Sequence, residues 1–180
     1  MSHQINIDKN GTTTLATAGK YCDRNIDVNV SVPSSGTELI NGFIERTIAG
    51  HYENNEVLSV GIQAFAYCSQ LESVVFNKAE ILSTYAFSNC TMLKRAEFAN
   101  IDSSKGIYTN CFVSCTALEK VVLRAQSVCK LQNTSAFNGS GVANGTGYIY
   151  VPDDLVDNYK TATNWVTYAS QIKPISELEE

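Results

Sequence analysis

Apolar residues recur at a fixed spacing in the segment IQAFAYCSQLESVVF, residues 62–76. The step is three residues between Phe65 and Val74, and two residues from Val74 to Phe76. A three-residue step is typical of a short 3₁₀ turn, whereas a two-residue step is typical of a strand with one buried face. The segment therefore predicts one helical turn that leads into one β-strand.

The same spacing returns further along the chain. Around Phe87 and Phe112 it is complete, but the copy around Phe137 has Ser140 and Ala143 where the others have Cys and Leu. The steps from one Phe to the next are 22, 25 and 25 residues, within the period of about 20–29 residues of leucine-rich repeats. We therefore expect a mostly β solenoid with short helical turns over residues 39–151.

The first 33 residues have a different pattern. Asn10-Gly11 is a strong tight-turn signal, and a later alternation of polar and apolar residues predicts a half-buried strand. The apolar side chains of that strand are Ile26, Val28, Val30 and Val32. Residues 1–33 are thus predicted to form a small β-module, with a linker at 34–38. The module is too short to bury its own core, so its partner surface is the repeats, a second copy or a neighbouring protein.

Two segments are predicted to lie between the linker and the first complete copy. Phe43–Ile48 is expected to close the N-terminal end of the stack, because terminal repeats must differ from internal ones to shield the core. Residues 51–56 are polar and are predicted to form a loop, in which His51 is solvated.

A short helical cap is predicted over residues 152–180. Tyr148–Val151 is expected to be the final strand, ended by Pro152. Asp153 and Asp154 are favourable at a helix start. A second short helix would then place Trp165, Tyr168 and Ile172 on one face, over the last repeat.

Charge and composition exclude several classes of function. The net charge is −5 and the basic residues are scattered, which argues against nucleic-acid binding. No segment approaches the roughly 18 apolar residues of a membrane-spanning helix, so membrane insertion is not expected. The N-terminus shows no secretion signal, and export would require lysis, a particle or an unconventional route.

The six cysteines do not indicate a reactive or metal-binding site. Cys68, Cys90 and Cys115 share one repeat position and are expected to be buried free thiols that act as small hydrophobes, with disulfides as the alternative. There is no Cys-x-x-Cys pair, and His3 and His51 are the only histidines, so zinc is not expected. Without an acid-base constellation, we expect no enzyme, no catalytic residue and no cofactor.

The repeat pattern small-Phe-x-x-Cys-x-x-Leu-x-x-Val-x-Phe resembles the BspA-like leucine-rich repeats. The segment from Tyr150-Val151-Pro152 through Tyr159 to Trp165 looks like the C-terminal cap of that family. Together the two resemblances cover roughly residues 40–175. They imply a surface that binds host or matrix ligands. They imply no catalytic residues.

The stretch from Lys9-Asn10-Gly11-Thr12 through Asp27 to Pro33 is similar to a short module of tail-associated and minor structural proteins of phages and prophages. This similarity implies a virion component associated with tail, fibre or capsid, extracellular after lysis. Other virion proteins would be its partners, and residues 1–33 could join copies into a homo-oligomer. The alternative is a bacterial leucine-rich-repeat scaffold or adhesion protein, in the cytoplasm or at the cell surface by an unrecognised route.

A protein or surface-glycan ligand would contact exposed aromatic and amide side chains. Tyrosine suits such contacts because it combines an apolar ring with a polar hydroxyl. The candidates are Tyr52, Tyr67, Tyr108 and Asn144, and Tyr148 is either a further contact or a packing residue. The Gly- and Asn-rich run at 138–147 lacks the order of a phosphate-binding loop.

Overall fold

In the computed structural model of this chain, the described residues are Asn6–Ile7, Thr13–Thr14, Glu38–Leu39 and 49–179. Strands β1 (Asn6–Ile7) and β2 (Thr13–Thr14) pair antiparallel, with Ile7 opposite Thr13. The predicted assembly strand with Ile26, Val28, Val30 and Val32, and the predicted closing segment Phe43–Ile48, lie outside the described residues.

The remaining strands form two sheets, and all but the last two strands alternate between them. In chain order they are β3 (Glu38–Leu39), β4 (Gly50–Asn54), β5 (Ser59–Val60), β6 (Leu71–Phe76), β7 (Ile81–Leu82), β8 (Arg95–Phe98), β9 (Gly106–Ile107), β10 (Lys120–Leu123), β11 (Tyr148–Val151) and β12 (Ile172–Pro174). The long sheet has the order β12-β11-β10-β8-β6-β4, and the short sheet has the order β3-β5-β7-β9. All pairings within both sheets are parallel. The prediction of a β-rich repeat fold with few short helices is confirmed.

The strand register places equivalent residues of successive repeats side by side. Val74 lies opposite Ala96, Ala96 opposite Val121, and Val121 opposite Ile149. These four side chains are fully buried, as are Phe76 and Phe98 two residues further on. The two-residue period of the strands therefore turns one side of the long sheet towards the core.

Phenylalanine rings form a continuous stack through the core. The ring centroids of Phe65 and Phe87 are 5.1 Å apart, those of Phe87 and Phe112 are 5.2 Å apart, and those of Phe112 and Phe137 are 5.3 Å apart. The last two pairs are within 3° of parallel. Edge-on aromatic rings end the stack on both sides, with Tyr52 against Phe65 and Tyr168 against Phe137.

The C-terminal cap consists of short helical segments. They are the 3₁₀ helices Asp153–Leu155, Trp165–Gln171 and Ile175–Glu177 and the α-helix α1 (Val156–Thr161). Two cap side chains donate hydrogen bonds to backbone carbonyls of residues 129–131, at the edge of the short sheet. Trp165 Nε1 donates to the Cys129 carbonyl at 2.7 Å, and Asn164 Nδ2 donates to the Leu131 carbonyl at 2.8 Å. These side chains take the place of another strand at that edge.

The prediction that residues 51–56 form a polar loop is wrong, because β4 occupies most of that segment. Tyr52 pairs with Val74, and Asn54 pairs with Phe76, so β4 ends an earlier repeat unit. The Asn54 side chain accepts hydrogen bonds from the N–H groups of Glu56 and Val57, which turns the chain away from the strand.

Two further expectations about the C-terminal part are corrected. Ile172 is not on a helix face, because it begins β12, which pairs with β11 and adds a strand beyond Val151. Ala143 does not fill the leucine position of the last repeat, since it is exposed while Val142 is fully buried.

The glycines of the last turn have a packing role. A Cβ added to Gly141 or Gly147 would come within 2.3 or 2.1 Å of the Leu118 carbonyl oxygen. Gly141 and Gly147 of the Gly-rich run are therefore explained by close backbone packing.

The phenylalanine stack generates the first testable prediction. Replacing Phe87 by Ala should lower the free energy of unfolding by about 3–5 kcal/mol, because a fully buried ring is lost between two stacked neighbours. Urea denaturation followed by circular dichroism measures this loss. The control Met92→Ala, at an exposed position of the same repeat, should change stability by less than about 0.5 kcal/mol. A loss below about 1 kcal/mol for Phe87→Ala would contradict the stack.

Candidate functional site

Each repeat has a turn that is hydrogen-bonded to the turn of the next repeat. The N–H of Phe65 donates to the Ala86 carbonyl at 2.7 Å, that of Phe87 to the Cys111 carbonyl at 2.9 Å, and that of Phe112 to the Ala136 carbonyl at 2.7 Å. Similar bonds lie two residues to either side of Phe65 and of Phe87. We call this series of bonds the turn ladder. It holds the turns in register, so that side chains at equivalent positions form rows.

Two positions in each turn have left-handed backbone conformation without being glycine. Two residues before the Phe they are Gln63, Tyr85 and Asn110, and two residues after it they are Tyr67, Asn89 and Ser114. Their φ values lie between 56° and 66°. This conformation costs an L-residue roughly 1–2 kcal/mol, and it is unusual for a bulky side chain. The last repeat has Gly139 at the second of these positions.

The outward side chains of the four turns form one continuous surface, which we call the turn face. It comprises the exposed side chains of residues 61–70, 83–92, 108–117 and 133–147. Ile62 is 55% exposed and Tyr67 is 53% exposed. Tyr85 and Tyr108 are each more than one third exposed. The hydroxyl of Tyr85 accepts a hydrogen bond of 2.8 Å from Asn110 Nδ2, which joins two adjacent repeats.

The turn face carries no ionisable charge. None of the residues in these four ranges is Asp, Glu, Lys, Arg or His. Exposed polar groups on it are amides and hydroxyls, such as Gln63, Gln70 and Thr91. The turn face is therefore a neutral surface with exposed tyrosine rings and many hydrogen-bonding groups.

The outer face of the long sheet differs, because its charged side chains pair with one another. Lys94 Nζ lies 3.0 Å from a Glu72 carboxylate oxygen, and Glu97 accepts from Arg95 at 2.7 Å and from Arg124 at 2.5 Å. Burial alone would raise the pKa of Glu97, but the hydrogen bonds and charges of the two arginines outweigh it and lower the pKa. The ionised form therefore stabilises the fold at neutral pH, and this contribution is lost as the pH falls through the lowered pKa.

The C-terminal segment covers part of this outer face. Val122 and Tyr150 are buried although they alternate with the core residues of their strands. The chain after Ile175–Glu177 returns to the sheet, where Lys120 Nζ donates to the Glu179 carbonyl. Lys173 Nζ lies 3.9 Å from the centre of the Tyr148 ring, so this half-buried tyrosine has a packing role.

The described cysteines are buried free thiols. Cys90 Sγ donates to the Phe65 carbonyl and Cys115 Sγ to the Phe87 carbonyl, both at 3.0 Å. The pKa of Cys90 is raised by its hydrogen bond with Cys115 and by burial, and burial raises the pKa of Cys129 to about 12. Cys90 and Cys129 therefore lack the exposure and low pKa of a nucleophile.

Three other ionisable groups within residues 49–179 have hydrogen-bond or ion-pair partners. His51 is exposed and its Nδ1 lies 2.8 Å from Ser73 Oγ. A groove of about 400 Å³ contains Glu80 and Asp102, but Glu80 pairs with Lys105 at 2.7 Å. Hydrogen bonds from Ser104 and Lys105 lower the pKa of Asp102 to about 2. Within residues 49–179, no three His, Cys, Asp or Glu side chains are grouped to hold a metal ion.

A family model described as the BspA type leucine-rich repeat region matches residues 47–151 in six copies, which is more than half of the chain. The chain belongs to the BspA-type leucine-rich repeat family. No curated protein matches it, and no solved structure does. Leucine-rich repeats generally mediate protein binding or adhesion, which fits an extended surface of stacked units. In the part of the chain that the structure describes, no helix is long and apolar enough to cross a membrane.

The predicted contact residues have different positions in the BspA-type stack. Tyr67 and Tyr108 lie on the turn face, and Asn144 is exposed in the last turn. Tyr52 is half-buried, and its ring lies 5.0 Å from that of Phe65 and 5.7 Å from that of Phe76. Burial raises its pKa, with a smaller opposite effect from Asn54. It occupies the position that Val74 has in the next repeat.

Sequence reasoning missed two features of the turn face. Tyr85 and Ile62 were not among the predicted contacts, although both are exposed beside the start of their turns. The lack of charge in the four turn segments was also missed, and it can be read directly from the sequence.

The left-handed tyrosines generate a prediction about stability. Tyr67→Gly should leave the free energy of unfolding unchanged or raise it by up to about 1 kcal/mol, because glycine relieves the left-handed conformation at an exposed position. The control Ala66→Gly, one residue earlier without positive φ, should lower it by about 0.5–1 kcal/mol. Urea denaturation of both variants makes the comparison. A large decrease in the free energy of unfolding of Tyr67→Gly would instead identify Tyr67 as a packing residue.

Proposed function

We propose that this chain is a non-enzymatic binding protein whose BspA-type repeats form a solenoid and whose turn face contacts a protein or surface-glycan ligand. The observation that carries the proposal is the presence of Tyr67 and Tyr85 at strained backbone positions, with their rings partly exposed. Residues held in rarely populated backbone conformations cluster at functional sites. The exposed parts of these rings lie on two adjacent repeats, where one ligand could contact both.

Within residues 49–179, several groups that could act in catalysis are buried or paired, which supports a non-enzymatic role. The thiols of Cys90, Cys111 and Cys129 are buried with raised pKa values. Glu97 is held between two arginines. General acid-base or nucleophilic catalysis needs such groups to be accessible and suitably paired.

The binding proposal is tested with the variant Tyr67→Ser/Tyr85→Ser/Tyr108→Ser. Labelled full-length chain is applied to immobilised host-cell matrix and to immobilised bacterial envelope, and saturable retention is measured. We expect the triple variant to lose most of the retention, because it removes the exposed rings of three adjacent repeats. The control Val166→Ser, at an exposed apolar position in the cap, should be retained like the original chain. Equal retention of both variants would contradict binding through the turn face.

The location of the protein is a separate proposal. We propose a virion component, attached through residues 1–33 to other virion proteins or to further copies of the chain. The similarity of residues 9–33 to modules of phage structural proteins supports it. A bacterial leucine-rich-repeat scaffold or adhesion protein is equally consistent with the repeats themselves.

The attachment proposal predicts that Val28→Asp/Val30→Asp abolishes self-association or particle incorporation, because the apolar strand face would then carry two charges. Light scattering after size-exclusion chromatography measures self-association, and peptide mass spectrometry of purified particles measures incorporation. The control Asn29→Asp adds a charge to the predicted polar side and should have little effect. A double variant that assembles and is incorporated normally would exclude this role for the strand.

A further inference from the structure

We propose that the ligand of the turn face is a neutral glycan chain that lies along the stack, with successive sugars against successive repeats. This inference rests on the proposed binding function and narrows it to one class of ligand. It follows from the charge, the side-chain chemistry, the spacing and the rigidity of the turn face.

The charge distribution of the turn face favours an uncharged ligand. Outside the turns, charged side chains are abundant and pair across repeats, as Lys78 does with Glu56 and Lys94 with Glu72. Within the four turn segments there is no charged residue. A sulfated glycan, a nucleic acid or an acidic peptide would find no counter-charge there, and electrostatic complementarity is what steers and selects such ligands.

The side chains of the turn face match the two chemical surfaces of a sugar. A pyranose presents C–H groups on one face, which pack against an aromatic ring, and hydroxyls at its edge, which both donate and accept. Tyr67, Tyr85 and Tyr108 supply rings on three adjacent repeats. Gln63, Asn89 and other amides and hydroxyls around them can donate and accept. Aromatic rings combined with a few placed polar groups are typical of small-ligand recognition.

The spacing of the repeats suits a chain of sugars. Adjacent repeats are separated by about the 5.1 and 5.2 Å between stacked phenylalanine rings. This distance is comparable to the length of one pyranose unit in an extended chain. Successive turns can therefore contact consecutive sugars, although the tyrosines stand at different places in their turns: Tyr67 two residues after the Phe, Tyr85 two before it and Tyr108 four before it.

The turn face is also rigid, which favours binding of a flexible chain. The N–H groups of Gln63, Phe65 and Tyr67 donate to the next turn at 3.2, 2.7 and 2.8 Å. A surface that is fixed before binding loses little conformational entropy when the ligand arrives.

A second copy of the chain fits this surface less well. Stable homodimer interfaces are more hydrophobic than ordinary surface, whereas the exposed apolar side chains here are interspersed with amides and hydroxyls. Protein interfaces are also enriched in Arg, which the turn face lacks.

The test uses isothermal titration calorimetry on the full-length chain. The neutral probes are cellohexaose, maltohexaose, mannohexaose and chitohexaose, and the anionic probes are heparin and hyaluronan hexasaccharides. We expect at least one neutral probe to bind, with less than about a twofold change in affinity between about 0.05 and 0.5 M NaCl, because no ion pair is involved. Tyr67→Ala and Tyr85→Ala should each weaken binding about fivefold or more.

Two variants control this experiment. Tyr67→Phe keeps the ring and should retain most of the affinity, and Val166→Ala in the cap should bind like the original chain. Circular dichroism and thermal melting confirm that each variant is folded. Binding of anionic probes alone, binding unaffected by both tyrosine substitutions, or no binding by any neutral probe would overturn the proposal.

A second arm separates failure of this inference from failure of the binding function. The immobilised surfaces that retain the chain are treated either with periodate, which oxidises vicinal diols of glycans, or with protease. We expect protease to leave retention and periodate to abolish it when the glycan has vicinal diols; a 1,4-linked N-acetylhexosamine chain has none in its internal units, and is identified instead by loss of retention in the presence of chitohexaose. If protease alone abolishes retention and the triple tyrosine variant also loses it, the turn face binds a protein and only the glycan inference falls. If turn-face variants change self-association, the ligand is a second copy and the inference likewise falls.

Discussion

Hydrogen bonding between successive repeats holds the rest of this structure in place. The long sheet, the short sheet and the turn ladder bond each repeat to the next around a shared core. Only one register pairs these backbone groups and also stacks Phe87 between Phe65 and Phe112. A slipped register would leave buried backbone groups unpaired, which is costly. The ordered rows of surface side chains follow from the same constraint.

The core of the repeats could be predicted from sequence because it depends on spacing alone. Phe65, Phe87 and Phe112 occur at a period that one turn and one strand require, and each is fully buried. The repeat that ends in β4 was missed because Tyr52 and Asn54 stand where the next repeat has Val74 and Phe76. A polar residue can fill such a terminal position because its side chain also closes the adjacent turn. Phe43, 22 residues before Phe65, is the sequence signal for that repeat.

The candidate site was predictable only in part. Tyr67 and Tyr108 were identified by residue type, but the same reasoning chose Tyr52, whose ring closes the end of the phenylalanine stack. Left-handed conformation at Tyr67 and Tyr85 could not be anticipated, because tyrosine is not a residue that marks such positions. The conformation is imposed by hydrogen bonds to a neighbouring repeat, and those depend on tertiary structure. The burial of Val142 in the last repeat could not be predicted either, because it depends on the close backbone packing of Gly141 and Gly147.

The turn ladder has a direction. In each of its bonds the N–H belongs to the earlier repeat and the carbonyl to the later one, as for Phe65 with Ala86 and Phe87 with Cys111. The peptide dipoles therefore add along the stack, much as they do along an α-helix. The end towards β4 is the negative end, and the end towards the cap is the positive one. A face without a single ionised side chain is thus electrically polarised along its length, and a dipolar ligand lying on it has one preferred orientation.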